Sequence, residues 1–158
     1  MTTLDEIERF EVYFETLEIG QRFVSPRRTV TEADVVNFAG LSGDYNGLHT
    51  DAVLAAETQH CERIAHGLLV LAITSGLSTR LPAMRGMERT LIGLKNLQVQ
   101  WRAPTKIGDT LHVIAEVVEK QAGSKPDRGT IVMRRTARNQ RGEDVMVSDW
   151  SLVLKRAG

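Results

Sequence analysis

A carboxylate and an imidazole stand five residues apart in the stretch LSGDYNGLHTDA (41–52), as Asp44 and His49. Such a pair can take up, hold and return a proton near neutral pH, where imidazole changes charge and a carboxylate orients or shares the proton. The same stretch also reads as a plain turn. Asn46-Gly47 is a strong turn signal, and a side chain like that of Asp44 commonly caps its own local backbone. Yet an Asn-Gly hairpin usually joins alternating strands, and this one separates two helical segments. On spacing alone, both readings stay open.

A second candidate lies at Ile64-Ala65-His66-Gly67. It opens a long apolar run, and the first turn of a helix carries free N–H groups and partial positive charge. A glycine there lets a ligand oxygen reach the main chain, the arrangement of an oxyanion hole. Close packing of Gly67 against a strand would explain the missing side chain equally well. The other reactive residues form weaker groupings. His49, His60, Cys61 and His66 match no common metal-ligand spacing, so a metal is not expected. Cys61 reads as a small packed hydrophobe. His112 reads as a residue on a sheet face, and Arg134, Arg135 and Arg138 as a solvated basic face. No glycine loop suited to cradling phosphate appears.

The elements that must position these groups follow from periodicity. Residues 1–19 are a polar stretch with some helical character, the first 14 forming an N-terminal arm. GQRFVSPRRTV (20–30) is strand-like, with Pro26 marking an edge strand or bulge. Thr31, followed by Glu32 and Asp34, predicts a helix start, and Gly40 or Gly43 its end. A short helix capped by Thr50 or Asp51 comes next. From Gly67 to Leu81 the chain is apolar on nearly every side, which predicts a helix buried all round and ended by Pro82. Beyond residue 89 the period becomes two. RTLIGLKNLQVQW, DTLHVIAEVVEK, RGTIVMRRTARN and EDVMVSDWSLVLK are joined by turn sequences and predict a four-stranded antiparallel meander, with a fifth strand near 20–30. The fold class is α+β, a curved antiparallel sheet wrapped around one central helix in the hotdog manner. One helix on one sheet leaves a strand edge open for a partner.

Composition narrows the function classes. The 158 residues, 42% of them hydrophobic, suffice for one domain with a sizeable core. Twenty basic and twenty acidic residues give a formal net charge of zero, unlike an electrostatic binder of nucleic acid. No apolar run is long enough for a membrane span, and the acidic N-terminus lacks a signal-peptide core. One cysteine fits a reducing compartment, and a cytoplasmic location is expected.

Taken together, SGDYNGLH (42–49), IAHGLLVLAITSGL (64–77) and WRAPTKIGDTL (101–111) resemble the MaoC-like dehydratases, which include the R-specific enoyl-CoA hydratases. The likeness extends over about residues 15–156. It implies reversible hydration of a trans-2-enoyl thioester, carried by CoA or acyl carrier protein, to an (R)-3-hydroxyacyl thioester. Asp44 and His49 would be the catalytic pair, and the Gly67 amide the oxyanion donor. Asn46 would orient the loop or the water, and Ser75 would be a supporting polar residue. Arg28, Arg80, Arg102 and Lys106 are candidates for the CoA phosphates. A homodimer or dimer of dimers, joined edge to edge, is implied as well. Gly47 departs from the family pattern, which places proline there. A hotdog thioesterase and a non-catalytic acyl-CoA-binding or scaffold subunit are the alternatives. Release of free thiol would mark the first, and a broken Asp–His pair would have marked the second.

Overall fold

The computed structural model describes residues 10–158, so most of the expected polar arm lies outside the described residues. Residues 10–14 do not behave as an arm. Val12 is 1% exposed and its N–H bonds the Gly86 carbonyl at 2.8 Å. Its neighbours in the core are apolar residues of the sheet and of the segment after the central helix.

Strands β1 (Arg22–Val24) and β2 (Arg28–Thr29) flank Pro26, as its missing N–H requires. Helix α1 (Glu32–Ser42) starts at Thr31, whose hydroxyl accepts the Asp34 N–H while the Asp34 carboxylate accepts the Thr31 N–H at 2.8 Å, a reciprocal cap of two otherwise unpaired donors. It ends at Gly43, whose φ of 76° is a left-handed conformation that glycine adopts without penalty. Two short helices follow, α2 (Gly47–Thr50) and α3 (Ala52–Ala56), capped by Asn46 and Asp51. Helix α4 (Gly67–Thr79) is the expected apolar helix. Pro82 does not stop it directly but begins a separate turn, α5 (Pro82–Gly86), at the position where a missing N–H costs nothing.

The four period-two segments are β3 (Leu91–Trp101), β4 (Thr110–Ala122), β5 (Arg128–Arg138) and β6 (Asp144–Lys155). They are antiparallel but do not form a four-strand meander. The order is β1-β4-β5-β6-β3, so β3 crosses the molecule to pair with β6 and β4 sits on the far side. Only β4, β5 and β6 run as a meander. Along them alternate residues turn inward: Leu111, Val113, Ala137 and Met146 meet Leu69, Val70, Ile73 and Leu77 of α4. Burying each large apolar side chain contributes about 1.5–3 kcal/mol, and this contact fixes the helix on the sheet. The helix is not covered all round. Leu68 is 58% exposed, and Ala72 and Gly76, one turn apart beyond it, are also open. That stripe faces away from the sheet, which can cover only one side of a helix.

Arg135 overturns the reading of a wholly solvated basic strand. Arg134 and Arg138 do face outward, bonded to Asp149 and Asp144. The period of two sends Arg135 inward between Met133 and Ala137, leaving it 2% exposed. Its guanidinium lies 4.0 Å from the Trp150 ring centre and its Nε has no partner among the described residues. Burial alone pulls its pKa down to about 10.

Between pH of about 10 and the ordinary arginine value the unfolded chain keeps more protons than the folded one. The burial penalty of Arg135 is therefore whole below that window and fades as pH rises through it. The shift amounts to about 3 kcal/mol at neutral pH, partly offset by the indole contact. Arg135→Met should raise the thermal midpoint by about 5 °C near neutral pH. Scanning calorimetry at neutral pH and again within the alkaline window checks this, with a smaller gain expected in the second. Gly47, the first residue of α2, offers a different test. Its N–H has no acceptor among the described residues, and Asn46 before it stands at φ −53° and ψ 136°. That is already a conformation that a following proline tolerates. An added Cβ would come within 3.0 Å of the Leu54 side-chain tip, which is 45% exposed and free to turn aside. Gly47→Pro should add about 0.4–1 kcal/mol in denaturant titration by restricting the unfolded chain.

Candidate active site

The LSGDYNGLHTDA stretch breaks the chain between α1 and α3, and its hydrogen bonds are local. The Asp44 carboxylate accepts the Asn46 N–H at 3.2 Å, and the Asn46 side chain accepts the Leu48 N–H at 3.0 Å. Asn46 thus orients the loop by capping α2. His49 follows in that one-turn helix, its N–H bonded to the Asn46 carbonyl at 2.9 Å.

The segment Ile64–Gly67 holds this loop against α4. The Ile64 N–H donates to the Leu48 carbonyl at 3.1 Å, and the Ala65 N–H to the Thr105 carbonyl at 2.8 Å. The His49 ring places Nδ1 2.7 Å from the Ile64 carbonyl. A carbonyl only accepts, so Nδ1 carries the proton and Nε2 is left with a bare lone pair. The buried His66 places its Nε2 2.9 Å from the Asp44 carbonyl, and by the same logic donates to it. Its ring stacks on that of His49, with centres 3.8 Å apart and planes inclined by 29°. Ligand-capable atoms of Asp44, His49 and His66 all lie within 4.8 Å of one another.

Those three could in principle hold a metal ion, which the spacing of the four candidate ligands did not suggest. The geometry suits proton handling better. The stacked rings face each other, whereas the ligands of a metal must converge on one point. His60 and Cys61 stand outside this group. Cys61 is exposed, with φ 58°, and is not the packed hydrophobe expected from the sequence.

His66 is the residue immediately before α4, yet its side chain does not cap the helix. Among the described residues, the N–H groups of Gly67, Leu68 and Leu69 have no acceptor. His49, Ile64, Gly67, Val70, Trp101 and Arg102 line one cavity of about 310 Å³ at that helix start. The Trp101 indole donates to the Gly67 carbonyl at 2.9 Å, and a Cβ on Gly67 would fall 2.8 Å from the indole nitrogen. Close packing against a strand is therefore real at Gly67, and the amide is open as well.

The remaining candidates are dispersed. Arg102 belongs to the cavity, whereas Arg28 and Arg80 line a second, apolar cavity farther along α4. Lys106 pairs with Glu62. Ser75 is half-buried and is not part of the cavity wall. It lies two turns along α4 from Gly67, roughly 12 Å at the helical rise. His112 lies on β4 as expected, its pKa lowered by burial and then by Arg27 and Arg138. The loop after Trp101 is anchored by Asp109, whose buried carboxylate accepts from Arg141, Gln140 and the Lys106 N–H. Burial works against its ionisation, but these donors together keep its pKa below the ordinary value. Sequence reasoning missed two members, His66 and Trp101. The signals for His66 were its place beside Gly67 and its grouping with His49, His60 and Cys61, which the ligand spacing set aside, and nothing in a period-two strand singled out its last residue.

Comparison with known proteins identifies the family. The MaoC like domain family matches residues 14–139. Protein MaoC of Klebsiella aerogenes is 34% identical over 148 residues, covering 92% of this chain and 38% of its own length. An (R)-specific enoyl-CoA hydratase of Rhodospirillum rubrum is 34% identical over 125 residues, covering 78% of this chain and 79% of that protein. The crystal structure of a MaoC-like dehydratase from Rhodospirillum rubrum superposes with a TM-score of 0.83 at 31% identity, over 93% of this chain and 99% of the other. The chain spans well under half of the Klebsiella protein and about four fifths of the hydratase. With the family matched over residues 14–139 and the fold shared with a solved MaoC-like dehydratase, the chain belongs to the MaoC like domain family.

Proposed function

We propose that this protein is a hydro-lyase that adds water reversibly across a trans-2-enoyl thioester, giving the (R)-3-hydroxyacyl thioester. The observation that carries the reading is the His49 ring, whose Nε2 is bare and which has a nitrogen within 4.8 Å of the Asp44 carboxylate, beside the free N–H groups that begin α4. The names of the Rhodospirillum hydratase and of a 3-hydroxybutyryl-CoA dehydratase of Methylorubrum extorquens, 38% identical over 111 residues, support it.

In this mechanism the thioester carbonyl accepts the Gly67 N–H at the positive end of α4. One water lies between the two side chains. His49 Nε2 takes one of its protons while the free oxygen of Asp44 holds the other O–H. As the water oxygen bonds to C3, electron density moves through C2 to the thioester oxygen, where the Gly67 N–H stabilises it. The proton held on His49 then passes to C2. Both hydrogens of the water are accounted for, one on the new hydroxyl and one on C2. Dehydration reverses each step. Arg102, at the cavity mouth, is the best placed of the four cations to meet the carrier's phosphates.

Two copies would pair through β3. Its outer edge has no strand partner among the described residues, and Ile92 and Leu94 on it are 43% and 48% exposed. An open apolar edge of this kind invites a second strand. The open stripe of α4 would be covered in the same assembly. Light scattering should then give about twice the 17.6 kDa of one chain, as a two-fold pair requires.

The decisive measurement is the decay of enoyl-thioester absorbance with crotonyl-CoA, followed beside a thiol reagent. Wild type should consume the enoyl group without releasing thiol. Asp44→Asn and His49→Ala should each lower kcat by about 10³-fold. Thiol release would instead assign the protein to the thioesterases, and silence across short, branched and dicarboxylic enoyl thioesters would leave a binding role.

A further inference from the structure

His66 takes no direct part in the chemistry above, yet it touches each component of the site. Its side chain is 2% exposed and is not part of the cavity wall, so a substrate in that cavity would not meet it. Its Nε2–H bonds the main-chain carbonyl of Asp44 at 2.9 Å, across 22 residues of sequence. One face of its ring lies against His49, and Phe38 of α1 packs near it with ring centres 5.0 Å apart. The amide offered to the thioester belongs to the peptide joining His66 to Gly67. The His66 carbonyl is meanwhile fixed by the Val70 N–H at 3.1 Å.

Its protonation pattern is set by its surroundings. Nε2 faces an obligatory acceptor, while Nδ1 is buried with no partner among the described residues. A hydrogen on Nδ1 would be a buried donor left unpaired, which is unfavourable. The ring therefore carries its proton on Nε2, and that proton is committed to Asp44.

Asp44 needs such a tether. It is exposed on a loop, and its other contacts are local, from its own N–H to the Ser42 hydroxyl at 3.2 Å and from the Asn46 N–H to its carboxylate. Those bonds shape the turn without fixing it relative to α4. We propose that His66 is a positioning residue whose Nε2–H holds the Asp44 main chain, and with it the carboxylate, against His49 and the first amide of α4. The inference rests on the hydratase reading, because it is the hydration water that needs both groups in one place. A displacement of about 1 Å in such a pair can cost about 10²-fold in rate.

The test separates the donor from the ring. His66→Phe keeps an aromatic ring against His49 and removes the N–H; His66→Gln removes the ring and retains an N–H able to reach the same carbonyl. With crotonyl-CoA, His66→Phe should lose about 10²-fold in kcat with KM within about threefold of wild type, and His66→Gln should stay within about fivefold of wild type in both. Equal losses in the two variants, or full activity in His66→Phe, would overturn the tether. If wild type proves inactive on enoyl thioesters, the hydratase reading fails, and the tether is then judged by nitrogen-15 NMR of the His66 ring. A single proton on Nε2 supports it, and a proton on Nδ1 refutes it.

Discussion

The hydrogen bond between His49 Nδ1 and the Ile64 carbonyl is the contact on which the candidate site depends. It joins the loop after α1 to the segment that begins α4, and it decides which imidazole nitrogen is free. Without it the ring could turn about its bond to the chain and offer either nitrogen. A base of undefined direction contributes little, because proton transfer needs heavy atoms within about 3 Å along a defined line. Ile64 also donates its own N–H to Leu48. The clasp is therefore two-sided, and the one-turn helix α2 cannot shift without breaking both bonds. A helix of a single turn has almost no stability of its own, so its geometry is borrowed from this neighbour.

That dependence passes outward to the sheet. Ile64 and Ala65 bond to the loop at Thr105 and Lys106, and the loop is fixed by the buried Asp109. Helix α4 is held by the inner faces of β4, β5 and β6. The reacting groups thus sit on loops, while the parts that set their distances are rigid. Surface loops can carry chemistry in this way only when a scaffold locates them. The scaffold also buries Arg135. It tolerates a charge in the core whose compensation is an indole face and a thioether, with no carboxylate among the described residues bonded to it.

Much of this arrangement is legible in the sequence, for identifiable reasons. The period of two marks the long strands, and the Thr31–Asp34 pair marks the start of α1, because both are local patterns. The crossing of β3 to β6 is not legible, since strand order depends on which edges meet and no local pattern records that. The inward turn of Arg135 can be read from its alternation with Ile131 and Met133, but the expectation that arginines are solvated overrides it. Asp44, His49 and Gly67 stand out by residue type and by family likeness. His66 does not, because a histidine beside a glycine has no periodic signature, and the carbonyl that it bonds is 22 residues away along the chain.

Gly67 shows why the oxyanion reading could not be drawn from the sequence unaided. Two constraints remove its side chain. The Trp101 indole occupies the space of a Cβ, at a distance that no real Cβ contact tolerates. A thioester oxygen approaching the first amide of α4 would also require an uncrowded main chain. Packing alone is sufficient to demand glycine, so the residue's identity says nothing about the amide. What separates the two is the hydrogen-bond inventory. Trp101 bonds the carbonyl of Gly67, while the N–H of the same residue has no acceptor among the described residues, and neither have the two that follow. A helix start needed only for packing would ordinarily be capped, since free N–H groups beside an apolar cavity are costly. Here the capping position is held by a histidine whose side chain turns away from the helix toward Asp44, leaving the donors to the cavity.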